Sequence, residues 1–592
     1  MLQGNQTQPA YAQNQAPAVS DSTASIDDFP ASDSEPAPPP CRLSRTEQVA
    51  RLSRATPGLA QRKQAKQLGV SRGRLRHWRH REKSNGAPLQ EVAFFESPAG
   101  LDLLHRILLA AHVTITLRGS GGVRQVCEFL ELSGLSRHAA SSYGCQRDFN
   151  ARLEELVVEY GRQQRAALGQ GMPARQITVG EDETYHPQTC LVGLEPVSGF
   201  ILLEQYEDDR SADTWDGALE EATRGLNVEV VQVASDQAKG LIRHARNLGA
   251  HHSPDLFHVQ RDVVKATGLA LQRAEKQAEA AVAAASGALA QARQKEADER
   301  SRPRRPGRPS RKCERLAKAA ELQLLAAEVD LERAQQHREQ ARQEVRSLGD
   351  AYHPYLPETG QAQTPGQLQA RLETSWANLE RIAREAPLTE RCRQLLGKAK
   401  GLTQAMLLTL QFFIATCQAK VEALNLPPEV EALMQSHLIP AIYLDRVAGR
   451  CTKAEERQRL RRLSLELLLP LRQANNPLAL LGEAERRRVE EVAAECADLF
   501  QRSSSAVEGR NGQLSLHHHA RHRLGDRKLG ALTTIHNYLI KRPDGTTAAW
   551  RFFGQPHDDL FQWVLGRIRS PARPARKRPS SPKPTYLQGV AA

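Results

Sequence analysis

Carboxylate side chains follow two predicted strands, where they could bind divalent cations. Residues 176–182 have the pattern of a strand that ends in Asp182, and residues 228–233 form a β-branched run that leads to Asp236. Carboxylates held close together repel each other unless cations lie between them. A pair of Mg²⁺ ions about 3.5 to 4 Å apart can activate a water or a 3′-hydroxyl and stabilise the leaving oxygen. These residues are therefore candidate ligands of a metal site that acts on phosphodiesters.

The segments around these acids predict an α/β fold with a mixed sheet. Residues 190–194 and 200–206 predict a hairpin, residues 211–224 a helix, and residues 228–233 and 255–259 two further strands. The resulting order, β-β-β-α-β-α-β, is the layout of an RNase H-like core. Because the first and fourth strands are neighbours in such a sheet, we expect Asp182 and Asp236 to lie side by side.

Glu508 is the candidate for a third carboxylate, since such a core needs an acid from a later helix. Ser505 and Glu508 also have the S-x-x-E spacing of a capping box, in which the glutamate only closes the first turn of a helix. The spacing alone leaves both interpretations open. Glu508 lies 272 positions after Asp236, which is more than a minimal core requires, so we expect an insertion between them.

Four short motifs together resemble those of DDE transposases of bacterial insertion sequences. They are DETY at residues 182–185, ASD at 234–236, DLFHV at 255–259 and SAVEGRN at 505–511. The resemblance covers residues 176–265 and 501–566, with a helical insertion between the two stretches. It implies an RNase H-like core on which Asp182, Asp236 and Glu508 are both the catalytic triad and the metal ligands.

The resemblance also implies a reaction and its partners. Two Mg²⁺ ions, for which Mn²⁺ could substitute, would support hydrolysis and transesterification of DNA strands at the ends of a mobile element. The expected partner is double-stranded DNA, as element ends and as target, and the handling of two ends together implies a homodimer or a higher oligomer. Asp182 is preferred over Glu181 and Glu183 because Thr184 and Tyr185 follow it as in the family.

The most basic block of the chain, residues 42–83, predicts a DNA-binding unit. It holds thirteen Lys and Arg against two acids, which nearly accounts for the net charge of +13 of the whole protein. A short helix, a glycine turn and Ser71 as the cap of a second helix form a helix-turn-helix pattern. Leu75 and Trp78 would face the first helix, and the opposite side would enter a major groove. The predicted DNA contacts are Arg72, Arg74, Arg76, Arg79 and Arg81. A charged helical hairpin is the alternative.

The composition favours a multidomain protein with an anionic partner. The chain has 592 residues, 40% hydrophobic and 25% charged, and a pI near 9.4. Nine cysteines without a CxxC pair favour a reducing cytoplasm, and DNA binding would associate the protein with the nucleoid. The most apolar stretch, residues 405–417, is too short to cross a bilayer, and no secretion signal is apparent. We therefore expect no membrane association.

These observations predict seven regions. They are a disordered leader (1–41), the helix-turn-helix (42–84), a helical region with a possible second helix-turn-helix (85–172), two parts of the RNase H-like core (173–267 and 501–566) around an all-helical insertion (268–500), and a basic disordered tail (567–592). The insertion should contain two long helices joined by a basic, Pro-rich linker at residues 301–312. It is interpreted as a scaffold or dimerisation module, with direct DNA contact as the alternative.

Other interpretations stay open. A catalytically inactive, domesticated transposase-like DNA-binding or regulatory protein would bind DNA without cutting it, and a stand-alone RNase H-like nuclease would cut without joining. His258 is either a core imidazole or a substrate contact. Four histidines after Glu508 lack companion cysteines, so a cationic surface is favoured over a metal site. The histidines are His517, His518, His519 and His522, and the cations that would join them are Arg521, Arg523, Arg527 and Lys528.

Overall fold

The computed structural model describes residues 43–82, 87–186, 188–303, 310–473, 475–502, 505–521 and 524–574. Several predicted features lie outside these residues: the leader, most of the tail, the middle of the linker 301–312, and His522 and Arg523. The described part is a mixed α/β structure with a five-stranded sheet and large helical regions.

Among the described residues, seven helices precede the sheet. They are α1 (Arg45–Ser53), α2 (Gln61–Gln67), α3 (Arg72–Glu82), α4 (Leu89–Phe95), α5 (Pro98–His112), α6 (Val123–Leu132) and α7 (Tyr143–Gln170), and a π-helical turn (Val113–Arg118) extends α5. Serine hydroxyls cap several of them: Ser44, Ser97 and Ser142 each accept a hydrogen bond from a backbone N–H of the first turn. These local signals fix where the helices begin.

Helices α2 and α3 form within the basic block. Gly69 has a φ of +63°, which glycine adopts without strain, and it turns the chain after α2. Ser71 Oγ then accepts from the N–H of Arg74 at 3.1 Å and caps α3. Leu75 and Trp78 are 0% and 4% exposed, and Leu75 packs against apolar side chains of α1 and α2. The two apolar residues of α3 thus face inward, as expected.

The possible second helix-turn-helix of the region 85–172 falls on residues 123–143, where the structure differs from that motif. Gly134 ends α6 with a φ of +76°, but Leu135–Arg137 form only a single 3₁₀ turn. The next helix begins at Tyr143, after the Ser142 cap. A longer connection therefore separates α6 from α7.

Five strands form one mixed sheet in the order β3-β2-β1-β4-β5. They are β1 (Arg175–Tyr185), β2 (Thr189–Glu195), β3 (Phe200–Glu207), β4 (Val228–Ser235) and β5 (His251–Pro254). The first three are antiparallel neighbours, and β4 and β5 run parallel to β1. Helices α8 (Ala212–Thr223) and α9 (Lys239–Asn247) lie between the later strands and bury Trp215 completely.

The predicted strand at residues 255–259 is wrong. The fifth strand lies just before it, and Asp255 caps a long helix by accepting from the N–H of Phe257 at 2.8 Å. A short apolar run can be a buried strand or the start of a helix, and periodicity alone does not separate the two.

Nine helices of the described residues lie between the two parts of the predicted core. They are α10 (Leu256–Arg300), α11 (Lys312–Ala351), α12 (Pro365–Glu385), α13 (Glu390–Gly401), α14 (Thr403–Glu422), α15 (Pro428–Leu433), α16 (Ile439–Arg450), α17 (Ala454–Leu468) and α18 (Glu483–Leu499). A π-helical turn (Met434–Leu438) and two 3₁₀ turns (Pro470–Arg472 and Pro477–Leu480) accompany them. Because α10 runs through residue 268, the predicted start of the insertion falls inside a helix.

Helices α10 and α11 form the expected antiparallel hairpin. Arg338 of α11 pairs with Glu275 near the base of α10, and Glu321 pairs with Arg293 near its far end. The base of the hairpin joins a core that the other helices of the insertion complete, with Leu348, Trp376 and Phe413 among its buried members.

The chain returns to the sheet in four helices. They are α19 (Ser505–Arg521), α20 (Asp526–Tyr538), α21 (Ala548–Phe553) and α22 (Leu560–Leu565). Val507, Leu532 and Phe552 of these helices share one buried cluster with Val179 and Phe200 of the sheet. The core around the sheet is thus built from segments that are remote in sequence.

The last described residues bind the N-terminal helices. Glu96, at the end of α4, accepts from Arg45 of α1 at 3.1 Å and from Arg573 at 2.7 Å, and all three side chains are less than 10% exposed. Arg45 also donates to the carbonyl of Pro571 at 3.0 Å, and the N–H of Ala140 donates to that of Ala572 at 2.8 Å. We call residues 570–573 the C-terminal strap.

Two helical stretches of the described residues meet a length and composition criterion for a membrane span. They are Pro98–Arg118 and Glu390–Glu422, with 61% and 39% of their most apolar windows buried. Such helices are weak evidence for a membrane, because core helices of soluble proteins pass the same test.

Candidate active site

Asp182 and Asp236 lie at one edge of the sheet, at equivalent positions of neighbouring strands. Gly180 pairs with Ala234 in the parallel ladder of β1 and β4, and each aspartate lies two residues further along its chain. Asp236 Oδ1 accepts from the N–H of Ala238 at 2.9 Å, which fixes this side chain in the turn before α9. The carboxyl ends of parallel strands are where open α/β sheets bind ligands.

The three consecutive acids at residues 181–183 point to different sides of β1, because strand residues alternate between faces. Glu181 is fully buried and lies 3.2 Å from His244 Nε2. Glu183 accepts from Trp215 Nε1 at 3.4 Å. Asp182 contacts helix α19 instead, and is the acid of the three that can meet Glu508.

Helix α19 packs closely on β1 and carries Glu508 to this edge. Val507 is fully buried, and a Cβ added at Gly180 would lie 3.1 Å from Val507 Cγ2, so glycine permits the close approach. One turn after Glu508, Asn511 Nδ2 donates to Asp182 Oδ2 at 2.8 Å. Glu508 and Asn511 share this face of α19 because residues three apart are neighbours on a helix.

The surroundings raise the pKa of Asp182 from 3.8 to about 7. Burial is the largest cause, and the negative charge of Glu508 is the next. The N–H of Glu183, which donates to Asp182 Oδ1 at 2.9 Å, and the charge of His258 act in the opposite direction, while Asp236 adds a smaller increase. The charges of Glu508 and Asp236 therefore both act on Asp182, which holds its proton near neutral pH.

His258 lies beside this acidic group and is oriented by Asp255. Its Nδ1 is 2.8 Å from Asp255 Oδ2, and its Nε2 is 3.7 Å from Glu508 Oε1. Burial opposes protonation, but the hydrogen bond and charge of Asp255 outweigh it and raise the pKa of His258 above its ordinary value of 6.5. Of the two interpretations of His258, the structure favours a position in the site over one in the core.

The donor atoms at this edge fit a hard divalent cation. Carboxylate and amide oxygens are the ligands that Mg²⁺ and Mn²⁺ prefer. Asn511 Oδ1 is buried without a hydrogen-bond partner among the described residues, next to carboxylates that repel each other. Within the described ranges, however, no group of three or more His, Cys, Asp or Glu is arranged to hold a metal ion. Binding by Asp182, Asp236 and Glu508 therefore requires side-chain rotation.

The predicted DNA contacts on α3 have different surroundings. Arg72, Arg74 and Arg76 are exposed. Arg79 donates to Gln64 Oε1 of α2 at 2.6 Å. Its guanidinium therefore faces α2 and does not lie with the three exposed arginines. The side chain of Arg81 lies outside the part of the chain that the structure describes.

The histidines after Glu508 pack against the turn beyond β1. The ring centroid of His518 lies 5.3 Å from that of His186, and burial, followed by the charges of His518 and His519, lowers the pKa of His186. Two cations of the expected cationic surface are described, and both pair with the buried Glu154: Arg527 at 3.3 Å and Lys528 at 3.2 Å. Lys528 is buried, which contradicts its place on such a surface, whereas Arg527 is exposed.

Sequence reasoning missed Asn511 and the role of Asp255. Asn511 follows Glu508 by one helical turn, so the helical spacing within SAVEGRN was an available signal. The predicted strand over residues 255–259 includes Asp255 and so gives no indication that this residue caps a helix three residues before His258.

One protein family is similar to part of the chain. Residues 434–580 match a family described as a family of unknown function (DUF6399). This stretch, about a quarter of the sequence, holds Glu508 and Asn511 but not Asp182 or Asp236. No curated protein and no solved structure gave a significant match.

Proposed function

We propose that the protein is a transposase of the DDE type, which cuts and joins DNA strands at the ends of a mobile element. Asp182, Asp236 and Glu508 would hold two Mg²⁺ ions, or Mn²⁺ in their place. The observation that supports this proposal is that Asp182, three residues before the end of β1, is affected by the charges of two acids remote in sequence, Glu508 on helix α19 and Asp236 just after β4.

The topology of the sheet supports an RNase H-like core. Three antiparallel strands are followed by two parallel ones, β1 lies between β2 and β4, and the third acid comes from a later helix. This is the arrangement that the resemblance to DDE transposases implies. The helical insertion before Glu508 agrees with the same family pattern.

The chain's own residues would prepare the site in several ways. Asn511 orients Asp182 through a hydrogen bond, and Asp255 orients His258 toward Glu508. The raised pKa of Asp182 means that this carboxylate loses its proton when a cation approaches. A bound pair of divalent ions would supply an activated water or 3′-hydroxyl and stabilise the leaving oxygen.

Helices α2 and α3 would bind double-stranded DNA as a helix-turn-helix. The exposed side of α3 carries Arg72, Arg74 and Arg76, while its apolar side is buried. Arginine is suited to phosphates and to guanine edges in the major groove. Two element ends would be handled together, so we expect a dimer or a larger assembly on DNA, associated with the nucleoid in the cytoplasm.

The test uses purified protein and labelled DNA that carries the sequences flanking the gene. We expect strand cleavage with Mg²⁺ or Mn²⁺, none with EDTA, and none with Asp236→Asn, whose binding to the same DNA stays within about twofold of the wild type. Asp262→Asn, a change outside the triad, is the control and should retain cleavage. Cleavage by Asp236→Asn at the wild-type rate would refute the proposed mechanism.

A second candidate is a catalytically inactive, transposase-like DNA-binding or regulatory protein. The observation that favours it is that, in the described residues, no ready-made group of three ligands surrounds a metal position. In that case the protein would bind DNA in a salt-sensitive manner and would leave it uncut with either metal. Cutting without joining would instead indicate a stand-alone nuclease.

A further inference from the structure

Arginines line an open cleft of about 640 Å³ at the other end of the sheet. The cleft lies between the start of β1, the turn after β2, helices α16 and α17, and residues 542–551. Its arginines are Arg175, Arg446, Arg450, Arg461, Arg542 and Arg551. Arg175 precedes Asp182 by seven positions in β1, which is roughly 23 Å along an extended strand. The cleft is therefore separate from the acidic edge.

Six arginines outnumber the three aspartates that line the cleft, which are Asp445, Asp498 and Asp544. Arg446 and Arg461 pair with aspartates at 3.1 and 3.9 Å. The other four arginines have no carboxylate within 4.0 Å among the described residues. They donate instead to the carbonyl of Phe552 (Arg175), the side chain of Gln501 (Arg450) and the carbonyl of Ser198 (Arg542 and Arg551).

The arginines also repel one another. Burial is the largest cause that lowers the pKa of Arg551, and the charge of Arg542 lowers it further, while the charges of Asp544 and Glu195 act in the opposite direction. Both guanidinium groups converge on one carbonyl oxygen, that of Ser198, at 3.4 and 2.7 Å. An anion in the cleft would relieve this repulsion, because guanidinium groups that already donate to neutral oxygens keep further N–H donors.

The shape and lining of the cleft identify the kind of anion. Arg446, Arg450, Arg461 and Arg542 are exposed and project from several elements instead of meeting at one point. The described lining contains no aromatic side chain on which a base could stack. A ligand with repeated phosphates fits such a surface, since guanidinium groups bind phosphate oxygens in pairs.

We propose that this cleft binds the sugar-phosphate backbone of double-stranded DNA, at a site distinct from both the acidic edge and helix α3. The choice of DNA as the polyanion rests on the proposed function, whereas the phosphate chemistry rests on the cleft itself. Nine of the residues that line the cleft, including five of its arginines, lie in the stretch that matches DUF6399.

The test is a binding measurement with the full chain in EDTA, so that catalysis plays no part. The probe is a fluorescein-labelled DNA duplex of arbitrary sequence, titrated at several salt concentrations. The double variant Arg450→Gln with Arg542→Gln removes two cleft charges that have no carboxylate partner. Its affinity should fall about tenfold or more, and the slope of log K against log salt should decrease by about 1.8, because each lost phosphate contact removes about 0.9.

The matched control removes the same charge elsewhere. Arg486→Gln with Arg488→Gln changes two exposed arginines of α18 that do not line the cleft, and it should leave both affinity and slope nearly unchanged. Both double variants are also compared in a background of Arg72→Gln, Arg74→Gln and Arg76→Gln, so that binding by α3 does not mask the cleft. An unchanged affinity and slope for the cleft variant in this background would overturn the proposal.

Two further measurements separate the possible outcomes. The first is competition by inorganic phosphate or a nucleoside triphosphate at micromolar concentration. If such competition is found and the cleft variant binds the duplex with unchanged affinity, the cleft is a small-anion site and the proposal is overturned. Asp236→Asn is measured in parallel. If this variant and the wild type bind the duplex equally and the cleft variant does not, the cleft is supported even when no cleavage is found.

Discussion

Asn511 donates to Asp182 through a 2.8 Å hydrogen bond, so one side chain of α19 fixes the carboxylate at the end of β1. In the proposed metal site, Asn511 would be an outer partner of a metal ligand, and the loss of such a partner typically lowers metal affinity or activity. The bond also connects the two parts of the chain that the long helical insertion separates.

Replacement of Asn511 by Ala should lower metal-dependent cleavage by about 10- to 100-fold, which is the usual effect of losing a partner of a metal ligand. The cause would be a loss of orientation of Asp182, so the Mn²⁺ concentration needed for half-maximal activity should rise as well. Gln513→Ala, an exposed change on the same helix, is the control. Equal metal dependence in both variants would contradict the role of Asn511.

The raised pKa of Asp182 predicts a pH-dependent stability in EDTA. The folded state holds this proton more tightly than the unfolded state. The contribution of Asp182 to the free energy of unfolding therefore falls as the pH rises from 4 to 7, and it is constant above pH 7. The loss should amount to at most about 4 kcal/mol, at about 1.4 kcal/mol for each pKa unit. Denaturant unfolding at pH 5 and pH 8 measures the part of this loss that falls between pH 5 and pH 7, which is at most about 3 kcal/mol.

Asp182→Asn isolates this effect from other titrating groups. The stability difference between pH 5 and pH 8 should be smaller in the variant than in the wild type, and Mg²⁺ should narrow the difference in the wild type only. The same pH dependence in both proteins would show that Asp182 titrates normally.

His258 should set the pH range in which the acidic edge takes up a cation. Its positive charge lowers the pKa of Asp182, so His258→Gln should shift the acid limb of the cleavage profile to higher pH. The measurement is a pH profile of cleavage at saturating Mn²⁺. His437→Gln, which changes a half-buried histidine of the insertion, should leave the profile in place, and an unshifted limb in His258→Gln would argue against the contact.

Glu96 should hold the C-terminal strap against α1. Glu96→Gln leaves two buried arginines without their charged partner, which costs about 3 to 5 kcal/mol when a buried pair is broken. We expect faster amide exchange in residues 45–53 and 570–573, measured by mass spectrometry. Asp102→Asn removes an exposed pair with Arg106 and should cost at most about 1 kcal/mol. Unaltered exchange in Glu96→Gln would mean that other contacts hold the strap.

The arginines of α3 should separate into two classes. Arg72→Gln and Arg76→Gln, at exposed positions, should weaken DNA binding and reduce its salt dependence while leaving stability within about 0.5 kcal/mol. Arg79→Gln should act mainly on stability, because its guanidinium contacts Gln64. Thermal unfolding and duplex binding together check the distinction, and a purely DNA-binding defect in Arg79→Gln would contradict it.

The elements that local patterns determine could be predicted from the sequence. The strands around Asp182 and Asp236 and the inward face of α3 depend on alternation and helical spacing, which are visible in the residues themselves. The hairpin of α10 and α11 follows from long stretches of helix-forming residues without interior proline.

Features that depend on tertiary contacts could not be predicted in the same way. The start of α10 at Leu256 depends on the Asp255 cap, whereas the DLFHV run alone suits a strand equally well. The pairing of Lys528 with Glu154 joins α20 to α7, and no spacing within either helix indicates it. The cleft arginines come from separate parts of the chain, and only the fold brings them to one surface.

Helix α10 starts at the Asp255 cap beside His258 and continues without a break for 45 residues, a length of about 68 Å. A tilt of only about 5° at its base would displace the far end by about 6 Å over that length. A hairpin that tilted as a rigid unit would therefore move far at its distant end and would rotate only slightly at its base beside His258.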